Sequence, residues 1–258
     1  MALFIFAHQD DECWCFYEIC RLVSRGDEVK IIYLTSGTFD GSLSPVRNAE
    51  SIAVLGGIGV PKENIFFLGT HEKIRDGRLC ESLEVVFNSL IAFTDEAGVP
   101  SSLYFPAWEG GHQDHDAAHL VGIALAKHFR ILDQCYQFPL YTGVNLPSIF
   151  FRTFACLPEN GEPIVSKMPW KDRIRFIKLC FSYPSQIKSW IGLFPFFMMH
   201  HIFYGTQSLQ HVSADRVNFA PHSGTLLYER RQAYSYKIFI QETCDFVYRL
   251  TRTKDNRI

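Results

Sequence analysis

The chain has 258 residues, of which 27 are acidic and 25 are basic, and a formal net charge of −2. This length is enough to bury a core without disulfides, and the near-neutral charge disfavours general nucleic-acid binding, which needs a basic face. No Lys or Arg precedes the first apolar run, which ends at Ala7, so no signal peptide is predicted. The apolar stretch 190–204 is too short to span a bilayer, and we expect a soluble, cytoplasmic protein.

Strands and helices alternate through the first half of the chain. Short apolar runs predict strands at 3–7, 29–34, 65–68, 103–105 and 134–140. Segments with helical periodicity lie between them, at 12–24, 44–57, 79–97 and 114–129. The alternation predicts an α/β fold with a doubly wound, mainly parallel, Rossmann-like sheet that carries helices on both faces.

The second half is less regular and richer in aromatic residues. We expect an α/β catalytic core over 1–146 and an irregular, aromatic-rich C-terminal extension over 147–258 that completes the domain and shapes the substrate pocket. A helix is predicted over 169–190, with Ile174, Ile177 and Phe181 on one face. This region also carries Lys167, Lys171, Arg173, Arg175, Lys178 and Lys188. Such a basic segment usually forms a solvated helix face, but beside the aromatic run it could contact a membrane surface or a lipid-linked sugar.

A polar cluster directly follows the first predicted strand. The segment 7–12 reads AHQDDE, so His8, Asp10 and Asp11 lie where the strand passes into a helix. In open α/β sheets, ligands bind outside the carboxyl ends of the strands. An aspartate here could simply cap the helix, but capping needs one carboxylate and no histidine.

A second polar cluster follows the fourth predicted strand. The segment 110–115 reads GGHQDH, with His112 and His115 three positions apart at a helix start. The two glycines allow close approach of the backbone. A polar loop with a capping aspartate is the alternative interpretation, but two such clusters at one edge of a sheet favour a shared site. Two histidines and one aspartate are the ligand set of catalytic zinc, and a remaining carboxylate and histidine could act as base and acid.

These two segments resemble the motifs of a known family. AHQDDE resembles the AHPDDE motif of the LmbE/PIG-L-type zinc-dependent N-acetylglucosaminyl deacetylases, and GGHQDH resembles their HPDH motif. The intervening segment 47–50, RNAE, also fits, and the resemblance covers about residues 2–130. It implies zinc as the cofactor and hydrolysis of the acetamide of an N-acetylated amino sugar as the reaction.

The resemblance also implies a role for each matching residue. His8, Asp11 and His115 are the expected zinc ligands. Asp10 is the expected general base, and His112 the group that stabilises or protonates the tetrahedral intermediate.

Two further matches and two departures complete the comparison. Asp114 is expected to support catalysis as the partner of a histidine, and Arg47 to contact the substrate. Gln9 and Gln113 replace the usual prolines, so these turns are either looser or held by glutamine hydrogen bonds. Ser185-Gln186 resembles a late Ser-Gln of relatives, but little else beyond residue 150 can be matched, which leaves the acceptor open.

Other histidines are weaker candidates. His119 lies one turn after His115 and could replace it as a ligand, although a supporting or merely buried role is favoured. His71, with Glu72, either lines the pocket or belongs to a solvated loop. For His200 and His201 we favour core or lid packing over metal binding.

The sequence therefore predicts a zinc-dependent deacetylase acting on an N-acetyl amino sugar or a glycoconjugate, which could be nucleotide- or lipid-linked. The alternatives are a zinc amidase for a non-sugar amide or thiol conjugate, and a non-catalytic Rossmann-like binding protein, which would be expected to have lost ligands. A dinucleotide oxidoreductase would carry GxGxxG after the first strand, where this chain has HQDDE.

Overall fold

A computed structural model of the chain describes residues 1–252, and of Lys188, Ser189, Thr251 and Arg252 it describes the backbone alone. The strands are β1 (Ala2–Phe6), β2 (Val29–Tyr33), β3 (Ile65–Phe66), β4 (Ser102–Pro106), β5 (Cys135–Phe138), β6 (Tyr141–Thr142), β7 (Arg152–Thr153), β8 (Pro163–Lys167) and β9 (Thr206–His211). The α-helices are α1 (Phe16–Ser24), α2 (Ser44–Gly57), α3 (Leu68–His71), α4 (Leu83–Ala97), α5 (Gln113–Phe129), α6 (Trp170–Leu179), α7 (Ile187–Phe203), α8 (Leu227–Arg230) and α9 (Tyr236–Arg252).

The central sheet has seven strands in the order β3-β2-β1-β4-β5-β9-β8. The first five strands along the chain pair in parallel, and β9 and β8 extend the sheet in antiparallel fashion. A separate two-stranded sheet joins β6 to β7. The predicted mainly parallel α/β sheet is thus confirmed.

Alternate residues of β1 enter two different cores because side chains of a strand point to opposite faces. Phe4 and Phe6 pack with Phe16 of α1 and with α2, α6 and α7, whereas Leu3 and Ile5 pack with α4, α5 and α9. Residues 2–6 are all buried, as expected for a strand covered on both sides. Each such side chain contributes roughly 1.5–3 kcal/mol through burial.

The single helix predicted over 169–190 is wrong, because α6 ends at Leu179 and α7 begins only at Ile187. Pro184 lies between them, and a proline has no N–H to continue the hydrogen-bond pattern. The predicted apolar face is also wrong: Ile174 and Phe181 are exposed, while Arg173 and Phe176 are buried. The Arg173 guanidinium is accommodated by donating from Nε to the Met168 carbonyl, at 2.8 Å.

Across residues 1–252, no helix is both long enough and apolar enough to cross a membrane. The carboxyl ends of β1 and β4 lie side by side, because these strands pair in parallel with Leu3 opposite Leu103. The segments that follow them, 7–12 and 107–115, therefore reach the same edge of the sheet.

Candidate metal and catalytic site

A pocket of about 330 Å³ lies at the carboxyl edge of the sheet. Its floor is formed by the two polar segments and its outer wall by later parts of the chain. The lining residues are His8, Asp10, Asp11, Trp14, Arg47, Asp76, His112, His115, Tyr141, Phe151, Gln186, Trp190, Gly192, Leu193 and Arg231.

The segment after β1 makes a tight turn that presents its side chains to the pocket. Asp10 adopts a left-handed backbone conformation with φ 115°, which is uncommon for a residue with a side chain. Its N–H donates to Glu12 Oε2 at 2.9 Å, and Glu12 Oε1 accepts from Tyr183 Oη at 2.8 Å. The Asp10 side chain makes no capping hydrogen bond, so this aspartate does not serve to cap the following helix.

The segment before α5 is shaped by its glycines. A Cβ on Gly111 would lie 2.0 Å from the Tyr141 carbonyl oxygen, so only glycine fits there. This confirms the close backbone approach predicted from the pair of glycines. The cap of α5 is His112, whose Nδ1 accepts from the Asp114 N–H at 3.2 Å.

His8, Asp11 and His115 converge in the pocket. One ligand atom from each lies within 4.8 Å of the others. His115 Nε2 is 3.1 Å from Asp11 Oδ1, and His8 Nδ1 is 3.6 Å from Asp11 Oδ2. Burial alone would raise the pKa of Asp11, but His115 and His8 lower it well below its usual range. Asp11 is therefore a carboxylate, as a metal ligand must be.

Asp114 does not face the pocket; it orients His8. Its Oδ2 is 3.0 Å from His8 Nε2, while its two oxygens accept from the N–H groups of Gly77 at 2.6 Å and Leu79 at 3.1 Å. Because the Asp114 carboxylate contacts Nε2 of His8, the other ring nitrogen, Nδ1, is directed at Asp11. This is the carboxylate–histidine arrangement that commonly supports a bound metal.

Asp76 is a site residue that the sequence analysis missed. Its Oδ1 is 3.1 Å from His8 Nε2, and with His8 and His112 it forms a second group of potential ligands. Burial opposes the charge of Asp76, but His8 lowers its pKa below the usual range. The sequence contains only a weak indication of this role, because Asp76-Gly77 has the composition of an ordinary turn. Its position after β3, where the chain returns to the carboxyl edge of the sheet, is the one feature that points to the site.

The donor set fits zinc. Two histidine nitrogens and a carboxylate oxygen meet at a buried position that opens to a pocket, as in catalytic zinc sites. Asp10, Asp76 and Asp114 add further acidic side chains around them. A cation bound here would offset the charge of these carboxylates, since uncompensated charge is costly to bury.

Asp10 lies in the same pocket next to a guanidinium. Its Oδ1 is 3.6 Å from Arg47 Nη2. Burial raises the pKa of Asp10 to about 8, although Arg47 opposes the shift. Arg47 also binds the backbone, donating to the carbonyls of Gly37 and, at 2.7 Å, of Gln9. The predicted substrate-contacting arginine thus also holds the turn that carries Asp10.

The two glutamines hold their turns through hydrogen bonds, one of the two outcomes considered for the missing prolines. Gln9 Nε2 donates to Asn48 Oδ1 at 2.7 Å. Gln113 Nε2 lies 3.5 Å from the Gly77 carbonyl. A Cβ on Gly37 would lie 2.0 Å from Gln9 Oε1, so this glycine, with φ 70°, makes room for the glutamine.

His112 is a neutral hydrogen-bond donor. Burial lowers the pKa of His112 to about 4. Because Nδ1 accepts from the Asp114 N–H, the proton of the neutral ring is assigned to Nε2. The ring lies 4.9 Å from the His8 ring, centroid to centroid. It can therefore stabilise a developing negative charge without first being protonated.

The remaining histidines lie outside the two ligand groups found among the described residues. His119 is buried, its Nδ1 is 2.8 Å from the Pro106 carbonyl, and burial lowers its pKa to about 4. His71 is the last residue of α3, and its side chain is 84% exposed, so it is solvated as one interpretation expected but does not lie in a loop. His201 stacks on Phe197 at 4.0 Å, which confirms core packing for that residue.

The outer wall of the pocket is aromatic and basic. Tyr141 and Phe151 stand beneath the Arg231 guanidinium, whose carbon lies 5.8 and 4.9 Å from the two ring centroids. Trp190 lies in the first turn of α7, and Gln186 directly precedes that helix. Ser185 is fixed by donating to both oxygens of Glu50, at 2.9 and 2.5 Å. No sequence pattern indicated Tyr141 or Arg231, which lie far from either motif along the chain.

Comparison with known proteins gives a consistent result. Residues 3–126 match the family model described as PIG-L, GlcNAc-PI de-N-acetylase. No curated protein matches the chain.

Solved structures with the same fold include a deacetylase of the teicoplanin biosynthesis pathway, at 16% identity and a TM-score of 0.62, covering 81% of this chain and 97% of that one. The zinc-inhibited form of teicoplanin deacetylase Orf2 has the same identity and coverages, with a TM-score of 0.61. N,N'-diacetylchitobiose deacetylase from Pyrococcus horikoshii is 20% identical, with a TM-score of 0.59, and 86% of this chain and 87% of that one are covered.

Proposed function

Because residues 3–126 match the PIG-L family model, we propose that this chain belongs to the LmbE/PIG-L family and is a zinc-dependent deacetylase that hydrolyses the acetamide of an N-acetylated amino sugar or its glycoconjugate. The products are acetate and a free amine. The observation that carries the proposal is the buried convergence of His8, Asp11 and His115, with Asp10 in the same pocket. The structural relatives named above include deacetylases, one of them of a diacetylated sugar.

Bound by His8, Asp11 and His115, zinc would supply Lewis acidity to the acetamide carbonyl and make the attacking water more acidic. Asp10 takes the proton from this water as its oxygen adds to the carbonyl carbon. The Asp10 carboxyl group lies in the same pocket as the three proposed ligands, with Oδ1 3.6 Å from Arg47 Nη2. His112 donates from Nε2 to the oxygen that becomes negative. The C–N bond then breaks, and protonated Asp10 gives its proton to the leaving amine.

The pocket wall supports a sugar conjugate as the substrate. Trp14, Tyr141 and Trp190 line the pocket with aromatic side chains that a sugar ring can contact. Arg47 and Arg231 offer guanidinium groups to hydroxyl or phosphate oxygens of the aglycone. We therefore propose that a glycoside, or a nucleotide- or lipid-linked N-acetylhexosamine, reacts better than free N-acetylglucosamine.

Mass spectrometry of zinc-loaded protein incubated with N-acetylated compounds tests the reaction. The panel includes free N-acetylglucosamine, nucleotide-linked and lipid-phosphate-linked forms, and non-sugar acetamides. The expected result is a loss of about 42 mass units from a sugar conjugate, the change for hydrolysis of an acetamide to an amine at a zinc site. Asp10→Asn serves as the matched inactive control.

Reaction of only the non-sugar acetamides would replace this proposal with a zinc amidase. No reaction with any compound, from protein that retains zinc, would favour a binding protein. If free sugar is hydrolysed as efficiently as the conjugates, the deacetylase proposal stands but the wall does not recognise an aglycone.

A further inference from the structure

The outward side of α7 is apolar, which is unusual for a helix facing water. The exposed positions of α7 with described side chains are all apolar: Ile187, Ile191, Pro195, Phe196, Met199, Ile202 and Phe203, with Gly192 among them. Ile191 and Phe203 are 73% and 70% exposed. A helix on a water-facing surface normally carries charged residues on its outer face. A continuous exposed apolar surface of this kind marks an interaction site.

The inward side of the same helix already has its partners. Trp190, Phe197 and His201 are buried and pack against the rest of the core, with Trp190 also lining the pocket. Ile191, Pro195, Met199 and Phe203 follow one another at intervals of four residues and so form one outward stripe. The stripe, which we call the α7 face, is therefore not the side that stabilises the fold.

The neighbouring helix adds basic and apolar residues to this surface. Helix α6 packs against α7 and exposes Trp170, Ile174, Lys171, Arg175 and Lys178. Residues 163–211 contain six Lys or Arg and a single acidic residue, Asp172, although the whole chain has a net charge of −2. Arg173 is buried and Arg175 donates to the Gly57 carbonyl at 2.6 Å, so Lys171 and Lys178 are the exposed cations of α6 that can contact an anionic surface.

We propose that the α7 face, with the basic residues of α6, docks on the surface of an anionic lipid bilayer. Apolar side chains enter the boundary of the acyl region, while Lys and Arg contact acidic head groups. A symmetric pair of chains fits this surface less well, since a two-fold contact would bring two basic surfaces together. Helix α7 has 17 residues, too few to span the bilayer, so the contact is peripheral.

Docking places the candidate site beside the lipid surface. Trp190, Gly192 and Leu193 of α7 line the pocket, while Ile191 and Phe196 of the same helix are exposed. A groove of about 670 Å³ continues from α7 along residues 146–155, where Phe150 is also exposed. The pocket mouth and the docking surface therefore share one helix.

Sedimentation with vesicles tests the proposal on the full chain. The vesicles contain either phosphatidylcholine alone or equal parts of phosphatidylcholine and phosphatidylglycerol. The wild-type protein is expected to sediment with the mixed vesicles and much less with the neutral ones. The double variant Ile191→Glu/Phe203→Glu should bind the mixed vesicles at least about tenfold more weakly, because charged residues oppose interfacial insertion.

Controls separate docking from folding and from catalysis. Val85→Glu/Val99→Glu places the same charges at apolar side chains that are 47% and 52% exposed elsewhere, and it should bind like the wild type. Neither Ile191 nor Phe203 lines the pocket, so hydrolysis of a water-soluble acetamide should be unchanged in the double variant. This activity readout is independent of vesicle binding, so docking and deacetylation can fail separately.

Three results would overturn the proposal. The first is wild-type protein that binds neither kind of vesicle. The second is a double variant that binds as well as the Val85/Val99 control. The third is wild-type protein that dimerises in analytical ultracentrifugation and loses the dimer in the double variant without binding vesicles, which would assign the α7 face to self-association.

Discussion

Asp114 and Asp11 contact the His8 ring at different nitrogen atoms. Asp114 contacts His8 Nε2 and accepts hydrogen bonds from two backbone N–H groups. These contacts fix the orientation of the His8 ring on the side away from the pocket. Asp11 faces its Nδ1 from the pocket side. A ligand held in this way pays little orientational entropy when the metal binds. The geometry of the whole site therefore rests on a few contacts of single side chains.

Removing a ligand should remove the metal. We expect about one zinc per wild-type chain, and loss of most of it in His8→Ala and in His115→Ala, measured by elemental analysis. His119→Ala is a matched control, because His119 is equally buried and lies on the same helix as His115. Full zinc retention in both ligand variants would refute the assignment.

Asp10→Asn should keep zinc and lose turnover. An amide cannot take the water's proton, so kcat should fall roughly 10²-fold or more. His112→Ala should also reduce kcat, because the donor to the developing oxyanion is lost. Asp10→Asn protein with normal zinc content and near-normal kcat would exclude Asp10 as the base.

Arg231→Ala should discriminate between substrates. Arg231 lies at the pocket wall over Tyr141 and Phe151, away from the ligands. Its loss should raise KM for a phosphate-linked N-acetylhexosamine by roughly tenfold, the scale of one charge-assisted hydrogen bond, and leave a neutral glycoside almost unchanged. An Arg231→Lys variant should recover part of the effect. Equal changes for both substrates would argue against phosphate recognition by Arg231.

Residues within the two motifs could be placed from the sequence because each motif is contiguous and follows a strand. Asp76, Tyr141 and Arg231 could not, because they reach the pocket from two loops and from the short strand β6, whose positions are set by packing far from β1 and β4. The neutral state of His112 also could not be predicted from the sequence. It depends on how deeply the ring is buried and on which ring nitrogen caps α5.

At the scale of elements, Glu109 joins the end of β4 to the start of β6. Its Oε1 accepts from the N–H groups of Leu140 and Tyr141, both at 2.9 Å. Burial raises the pKa of Glu109 to about 8, against an ordinary value of 4.5. This buried carboxyl therefore holds the strand that carries Tyr141 while it remains protonated at neutral pH.

The raised pKa makes stability depend on pH in a definite direction. The folded state binds this proton more tightly than the unfolded chain, so its stabilising effect is complete below about pH 4.5 and is lost as pH rises towards 8. The free energy of unfolding should fall by roughly 1 kcal/mol per pH unit between pH 6 and 8 from this group. Urea unfolding of metal-free protein measures it.

Glu109→Gln keeps an acceptor oxygen and should flatten that pH dependence. Glu63→Gln changes an exposed glutamate and should leave the slope as in the wild type. An unchanged slope in Glu109→Gln would show that another group is responsible, and Asp116 is the nearest candidate because burial raises its pKa to about 7.

The elements of the first half followed their sequence patterns closely, because each is covered by the core on its apolar side. The region 169–190 did not, since Pro184 divides it and since apolar residues remain exposed on α6 and α7. Hydrophobic periodicity identifies the buried face of a helix only when the opposite, exposed face is polar. The exposed faces of α6 and α7 carry apolar residues, so the pattern does not show which side is buried.

At the scale of the whole molecule, the parallel order β3-β2-β1-β4-β5 creates one edge where the ends of several strands meet. That edge was predictable from the alternation of elements. The antiparallel addition of β9 and β8 was not, because pairing between segments so distant in the chain leaves no local pattern.

The distribution of the pocket along the chain has a consequence for its biosynthesis. All three proposed ligands, His8, Asp11 and His115, precede residue 116, whereas the covering wall comes from residues 186–193 and from Arg231. The chain is synthesised from its N-terminus. A nascent chain therefore carries its full set of metal-binding side chains before the segments that enclose them leave the ribosome, and the cation can enter an open cleft rather than a finished pocket.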